Sequence, residues 1–290
     1  MDNFRYLQPS FSLGHHTHVL IDRLRCPQPP DGWPVVPVVS AVLEPQAHLY
    51  PWLVALAELT HPQLLELDKT LAEKATSPDM MLLGSQYELA TLKLRLADAF
   101  IFQPDGGRER YLLRYYDCRV FFQLLRMQPA LALQRWSRQT GIDFCSWQDE
   151  GGRVTFDCRA LIAEQASIPA AQEYHRLMNI GLINQALQRY GMPPDLAKRR
   201  TLSDETERLI ITARDECGLT DPDDLISFAL LGLTVHERYW QTQKMSALLK
   251  LTAGQPGAFH TELTLMYDEA LAQLRHQCQS YLSEEERNGE

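Results

Sequence analysis

Residues 112–125, LLRYYDCRVFFQLL, set two arginines and an aspartate between two apolar runs. Arginines so close together can grip an anion, above all where a helix N-terminus points free N–H groups at the same spot. Arg114 and Arg119 are placed for that chemistry. Asp117, between them, can instead cap the helix itself and hold one arginine as an ion pair. Periodicity favours the cap. Tyr111, Leu113 and Tyr115 alternate with Leu112, Arg114 and Tyr116 as in a strand. Val120, Phe121, Leu124 and Leu125 then share one helical face, which Pro129 ends. The period changes at Asp117, where a capping carboxylate contributes about 1 kcal/mol without any catalytic role. VTFDCRALI at 154–162 repeats the order of strand, Asp-Cys-Arg and helix, with Asp157 as the cap and Arg159 as its arginine. Asp-Cys-Arg therefore reads as a boundary device. The rival is an enzyme or small-ligand module with an anion site at Arg114 and Arg119, although no glycine-rich loop accompanies them.

Other residues with chemical potential are thinner in signal. GHHTH at 14–18 brings His15, His16 and His18 together, but no acid or cysteine completes a ligand set at a metal-binding spacing. A solvated N-terminal segment is expected there, with no metal and no cofactor. Cysteines at 26, 118, 145, 158, 217 and 278 form no C-x-x-C pair, so reduced and mostly buried thiols are expected. Tyr239 and Trp240 lie in HERYWQTQKM, a stretch that reads as helix; such aromatics serve either as a protein-binding surface or as core. The chain holds no G-x-S-x-G elbow, P-loop or H-E-x-x-H.

Composition bounds the rest. The 290 residues carry 28 Lys and Arg against 37 Asp and Glu, a net charge of -9, with no basic block. That balance argues against phosphate-driven nucleic-acid binding. The N-terminus lacks a basic stretch followed by an apolar one, and no apolar run spans a bilayer, so a cytoplasmic protein without membrane contact is expected.

These residues need elements to hold them. Strands are predicted at His18–Leu24, Val35–Val42 and Met80–Leu83, and helices at Pro51–Leu59 and Leu64–Lys74. Ser85 opens a capping-box pattern, S-Q-Y-E, before Leu89, Leu92 and Leu96. Two hairpins flank PDGG and QDEGG. Beyond about residue 160 the strand signals stop, and helices are predicted at Gln172–Tyr190, Asp204–Cys217, Asp223–Trp240 and Thr261–Tyr281. Gly191 and Gly218 stand at C-terminal caps. The expected fold is an α/β (α+β) lobe with a mixed sheet over 1–160, followed by an all-helical lobe over 161–290.

MLLGS at 81–85, YELATLKLRL at 87–96, PDGG at 104–107 and RYYDCRV at 114–120 occur in the order of a known pattern. With LIDRL at 20–24 and PWLVAL at 51–56, the stretch from 18 to 156 resembles the effector-adaptor (Tap/Tec, effector-chaperone) family of bacterial type VI secretion. That family's pattern has Pro where Cys118 stands, and its Phe-Gly-Pro is replaced by WSRQTGIDF. Proline suits the first helical position, which agrees with Asp117 as the cap. The resemblance implies a non-catalytic cytoplasmic adaptor that binds a secreted effector protein and helps load it onto a valine–glycine-repeat (VgrG) spike protein. It also marks Arg114, Tyr116, Asp117 and Arg119 as the family motif, structural or interacting.

Overall fold

The computed structural model of the chain describes residues 3–9, 11–73, 79–103, 110–127, 131–149, 152–162, 170–266 and 272–278. Two compact units divide it, residues 1–177 and 178–290. The PDGG turn at 104–107, residues 150 and 151 of the second hairpin loop and the tail from 279 lie outside the described residues.

The first unit is built on a sheet of seven strands. They are β1 (Leu7–Pro9), β2 (His18–Ile21), β3 (Val36–Pro37), β4 (Trp52–Ala55), β5 (Met80–Ser85), β8 (Ile142–Asp149) and β9 (Gly152–Asp157), in the spatial order β1-β9-β8-β5-β2-β4-β3. A separate hairpin joins β6 (Ile101–Phe102) to β7 (Tyr111–Leu112). The expected α+β lobe is present; in detail, every described strand pairing is antiparallel. Strands β2 and β5 sit in the middle and are buried throughout, which explains their unbroken apolar runs. On one sheet face Leu67 and Leu71 of α1 (His61–Glu73) pack with Val19, Ile21, Val54 and Leu82. On the other, Phe121 of α3 (Cys118–Arg126) sets its ring edge-on to Trp147 and Phe156. Helices α2 (Leu89–Ala99), α4 (Leu131–Thr140) and α5 (Cys158–Ile162) complete the unit.

Three local expectations fail for physical reasons. Pro51–Leu59 is predicted as helix, but β4 occupies Trp52–Ala55, followed by a short 3-10 turn. A buried run of four apolar residues carries no period, and pairing with β2 decides it. Val35–Val42 is predicted as one strand, but only Val36–Pro37 pairs, at the sheet edge where proline is tolerated. Ser85 is not a helix cap. It ends β5, and Glu88 precedes α2 as an N-cap without a side-chain bond. The Ser85 hydroxyl accepts from the Tyr87 N–H at 3.2 Å instead.

Among its described residues the second unit is helical. It holds most of α6 (Ala170–Tyr190), then α7 (Leu196–Asp215), α8 (Pro222–Thr234), α9 (Gln243–Thr252) and α10 (Ala258–Thr264). Ile183, Leu187, Leu209, Ile210, Phe228, Tyr239 and Phe259 form its core. Gly232 lets α8 approach α7 so closely that a Cβ there would lie 2.6 Å from Leu209. The Asp224 carboxylate accepts from the N–H groups of Gly257 and His260, at 2.9 and 2.7 Å, so a side chain of α8 caps the start of α10. No described helix is long and apolar enough to cross a membrane.

Candidate functional site

Strand β2 runs out of the sheet at Ile21, opposite Met80 of β5. The next residue outward on each strand is an aspartate, Asp22 and Asp79, and the Asp22 N–H donates to the Asp79 carbonyl at 2.7 Å. Both side chains are buried. Asp22 accepts from its own turn through Oδ1, taking the Leu24 N–H at 3.1 Å. Its Oδ2 takes Arg114 Nη2 at 2.6 Å. Arg25 donates Nε to Asp79 Oδ1 at 2.8 Å. Arg114 also donates Nε to the Tyr116 hydroxyl at 3.2 Å and lies over that ring at 5.3 Å. The Tyr116 hydroxyl in turn donates to the Leu49 carbonyl at 3.4 Å.

Asp117 does what the change of period predicts. It is the N-cap of α3, and Oδ1 accepts from the Arg119 N–H at 3.0 Å. The same carboxylate takes the Arg119 guanidinium in a fork, Nε on Oδ1 at 3.0 Å and Nη2 on Oδ2 at 2.7 Å. The far end of α3 is closed by Asn3, whose amide donates to the carbonyls of Leu125 and Met127 at 3.0 and 2.6 Å. The second copy of the device also holds. Asp157 Oδ1 accepts from the N–H groups of Arg159 and Ala160, but the Arg159 side chain is largely in solvent.

Charge and burial oppose each other across the cluster. Burial pushes the Asp22 carboxyl above its usual range, and Arg114 pulls against that. Burial also pushes Asp117 up, but the hydrogen bonds and charge of Arg119 outweigh it, so this carboxyl lies below its usual range. Burial raises the Tyr116 hydroxyl to about 12, so it stays protonated as a donor. The Cys118 thiol, at the first position of α3, is pushed well above its usual range by burial.

The fold thus brings Arg114, Tyr116, Asp117 and Arg119 together, and adds Asp22, Arg25 and Asp79, which sequence reading missed. The available signal was the aspartate in LIDRL, directly after a buried apolar run. Tyr239 and Trp240 stand elsewhere, in the core of the second unit. Tyr239 is fully buried with its hydroxyl donating to the Phe228 carbonyl at 3.1 Å, and Trp240 packs against the same core. They lie on a 3-10 turn, Tyr239–Gln241, rather than on a helix.

The histidines are corrected too. His16 and His18 are buried, not solvated. His16 Nδ1 lies 3.1 Å from the Ser12 carbonyl, which only accepts, so Nδ1 carries the proton. His16 Nε2 then accepts from the Ser146 hydroxyl at 2.8 Å, which takes the Thr155 hydroxyl at 2.7 Å. Thr155 in turn accepts the Phe11 N–H at 3.2 Å. This directed chain pins residues 11–16 onto the sheet. Among the described residues no group of three or more His, Cys, Asp or Glu is arranged to hold a metal.

Comparison with known proteins finds no matching family model, curated protein or solved structure.

The ion pair and the buried histidine each lead to a prediction. Arg114→Ala leaves Asp22 buried without its guanidinium and should cost about 3–5 kcal/mol in urea unfolding. Tryptophan fluorescence reports this mainly from the first unit, which holds Trp33, Trp52, Trp136 and Trp147, four of the five tryptophans. In an Asp22→Asn background the same change should cost at least about 1 kcal/mol less, and simple additivity would contradict the pairing. Burial lowers His16 from 6.5 to about 4. The unfolded chain therefore takes the proton first. Stability is full above about pH 6.5 and falls by about 3 kcal/mol as pH drops toward 4. His16→Gln should flatten that part of the curve; an unchanged slope would remove His16 as its cause.

Proposed function

We propose that this chain is a non-catalytic adaptor of the type VI secretion kind, acting in the cytoplasm. In this role it binds a secreted effector protein and helps load it onto a VgrG spike protein. The order of MLLGS, YELATLKLRL, PDGG and RYYDCRV supports it, as does one observation about how the motif is used. Arg114 is held by Asp22, and Arg119 by Asp117 in a fork. Both arginines of the motif are engaged by buried carboxylates, as suits a scaffold whose binding surfaces lie elsewhere. An anion site at Arg114 and Arg119 would have to displace two buried carboxylates, so the ligand-module alternative draws little support from this geometry.

The test is a tagged pull-down of the full chain from bacteria expressing a type VI secretion system, followed by mass spectrometry. Effector and spike component should co-purify with the wild-type chain. Asp117→Ala should lose them only in proportion to its unfolded fraction, measured by melting on the same preparation. Loss of both partners from a fully folded Asp117→Ala chain would place Asp117 at the interface. A wild-type chain recovered without either partner would overturn the adaptor proposal.

A further inference from the structure

The network of Asp22, Arg114 and Tyr116 holds a surface segment at each of its two ends. Asp22 Oδ1 fixes the turn after β2 by taking the Leu24 N–H at 3.1 Å. The Tyr116 hydroxyl donates to the Leu49 carbonyl at 3.4 Å, where the 3-10 segment Ala41–Leu49 ends. Arg114 joins the two holders, with Nη2 on Asp22 at 2.6 Å and Nε on the Tyr116 hydroxyl at 3.2 Å. Arg23 ties the same two segments directly. It donates Nη1 to the Ala47 carbonyl at 3.1 Å and lies over the Trp52 ring at 4.9 Å. Leu24 and Leu49, the residues so held, are 50% and 36% exposed.

A singly exposed leucine is ordinary on a protein surface. These two are fixed by backbone bonds to a buried network, on segments tied to each other, so little freedom is left to lose on binding. Their surroundings are positive. Leu24 stands between Arg23 and Arg25. Arg25 and Arg114 keep 29% and 27% of their side chains exposed, while the carboxylates they bind are buried. Among the described residues Arg23 is held by a carbonyl and a ring, which leave its charge uncancelled. This face complements an apolar side chain flanked by carboxylates. We propose that Leu24 and Leu49 are anchors of the surface that holds the effector, through an effector segment of that chemistry. The assignment rests on the adaptor role proposed above, in which the cargo must be held before a spike is met. The motif is then the frame, and the leucines are the contact it positions.

The test places the photo-cross-linker p-benzoylphenylalanine at position 24 or 49 of the full tagged chain, in bacteria expressing a type VI secretion system. Mass spectrometry identifies what is joined to it. The effector should be joined from both positions. Separately, Leu24→Asp should lower the co-purified effector at least about tenfold at an unchanged melting temperature. Leu24→Lys should lower it less, since carboxylates face the site. An effector that co-purifies with the wild-type chain but is joined from neither position would overturn the assignment and leave the adaptor role standing. So would the spike component joined from both positions in place of the effector. A greater loss with Leu24→Lys than with Leu24→Asp would overturn the acidic character of the bound segment. A wild-type chain that recovers no effector would remove the adaptor role and this surface with it. Cross-linking reads an otherwise unaltered chain, so it decides the matter even where the aspartate variant does not fold.

Discussion

The Asp22 carboxylate is nearly out of water at the end of a central strand, and the first unit is arranged to satisfy it. A buried carboxylate left alone would cost several kcal/mol. The Leu24 N–H and the Arg114 guanidinium bind it directly, and the Tyr116 hydroxyl holds Arg114 from behind. The arginine comes from 92 residues further along the chain. Satisfying Asp22 therefore ties the segment leading into α3 to the exit of β2. Asp79 and Arg25 repeat the arrangement one strand away. The sheet end is closed by ion pairs whose carboxylates are buried and whose arginines reach toward water, a geometry in which breaking one pair is far more costly than its net contribution suggests.

The same tripeptide serves two environments, and burial decides what each copy does. At α3 the Asp117 side chain is 3% exposed and Arg119 25%, and the fork between them is complete. At α5 Arg159 is 62% exposed and 3.8 Å from Asp157, so the cap remains while the ion pair contributes almost nothing. What the copies have in common is the capping aspartate and the cysteine behind it. That cysteine is buried in both cases, 4% and 0% exposed, because the first turn of each helix faces the sheet. A motif repeated in this way is an element of construction, and for this reason the RYYDCRV segment is assigned to the frame, not to the contact surface, of the adaptor we propose.

Most of the local signals are legible in the sequence, the capping-box pattern at Ser85 being an exception. The cap at Asp117 is announced by a change of period, and the helical second half by spaced apolar residues and by Gly191 and Gly218, which have positive φ in the structure. Where the signal depends on a partner distant in sequence, it is not legible. WLVA becomes strand β4 because β2 offers it an edge, and no residue of the segment says so. Nothing in the sequence links Asp22 to Arg114 until the sheet places them together. His16 reads as solvated because its neighbours are polar; Ser146, which bonds it, and Phe144, whose ring packs against it, lie more than a hundred residues away. Tyr239 shows the converse, an aromatic among charges that the second unit folds into its core.

Native-state hydrogen exchange on the full chain tests the central claim, that the carboxylate cluster is part of the fold's cooperative core. The amides of Asp22, Leu24 and Arg119 report it, since each donates to the Asp79 carbonyl, to the Asp22 carboxylate or to the Asp117 carboxylate. All three should exchange only through unfolding of the first unit, with the protection of the β2 and β5 amides. Exchange at the rate of an open loop, with β2 and β5 still protected, would contradict it, and would make the cluster a mobile and available site.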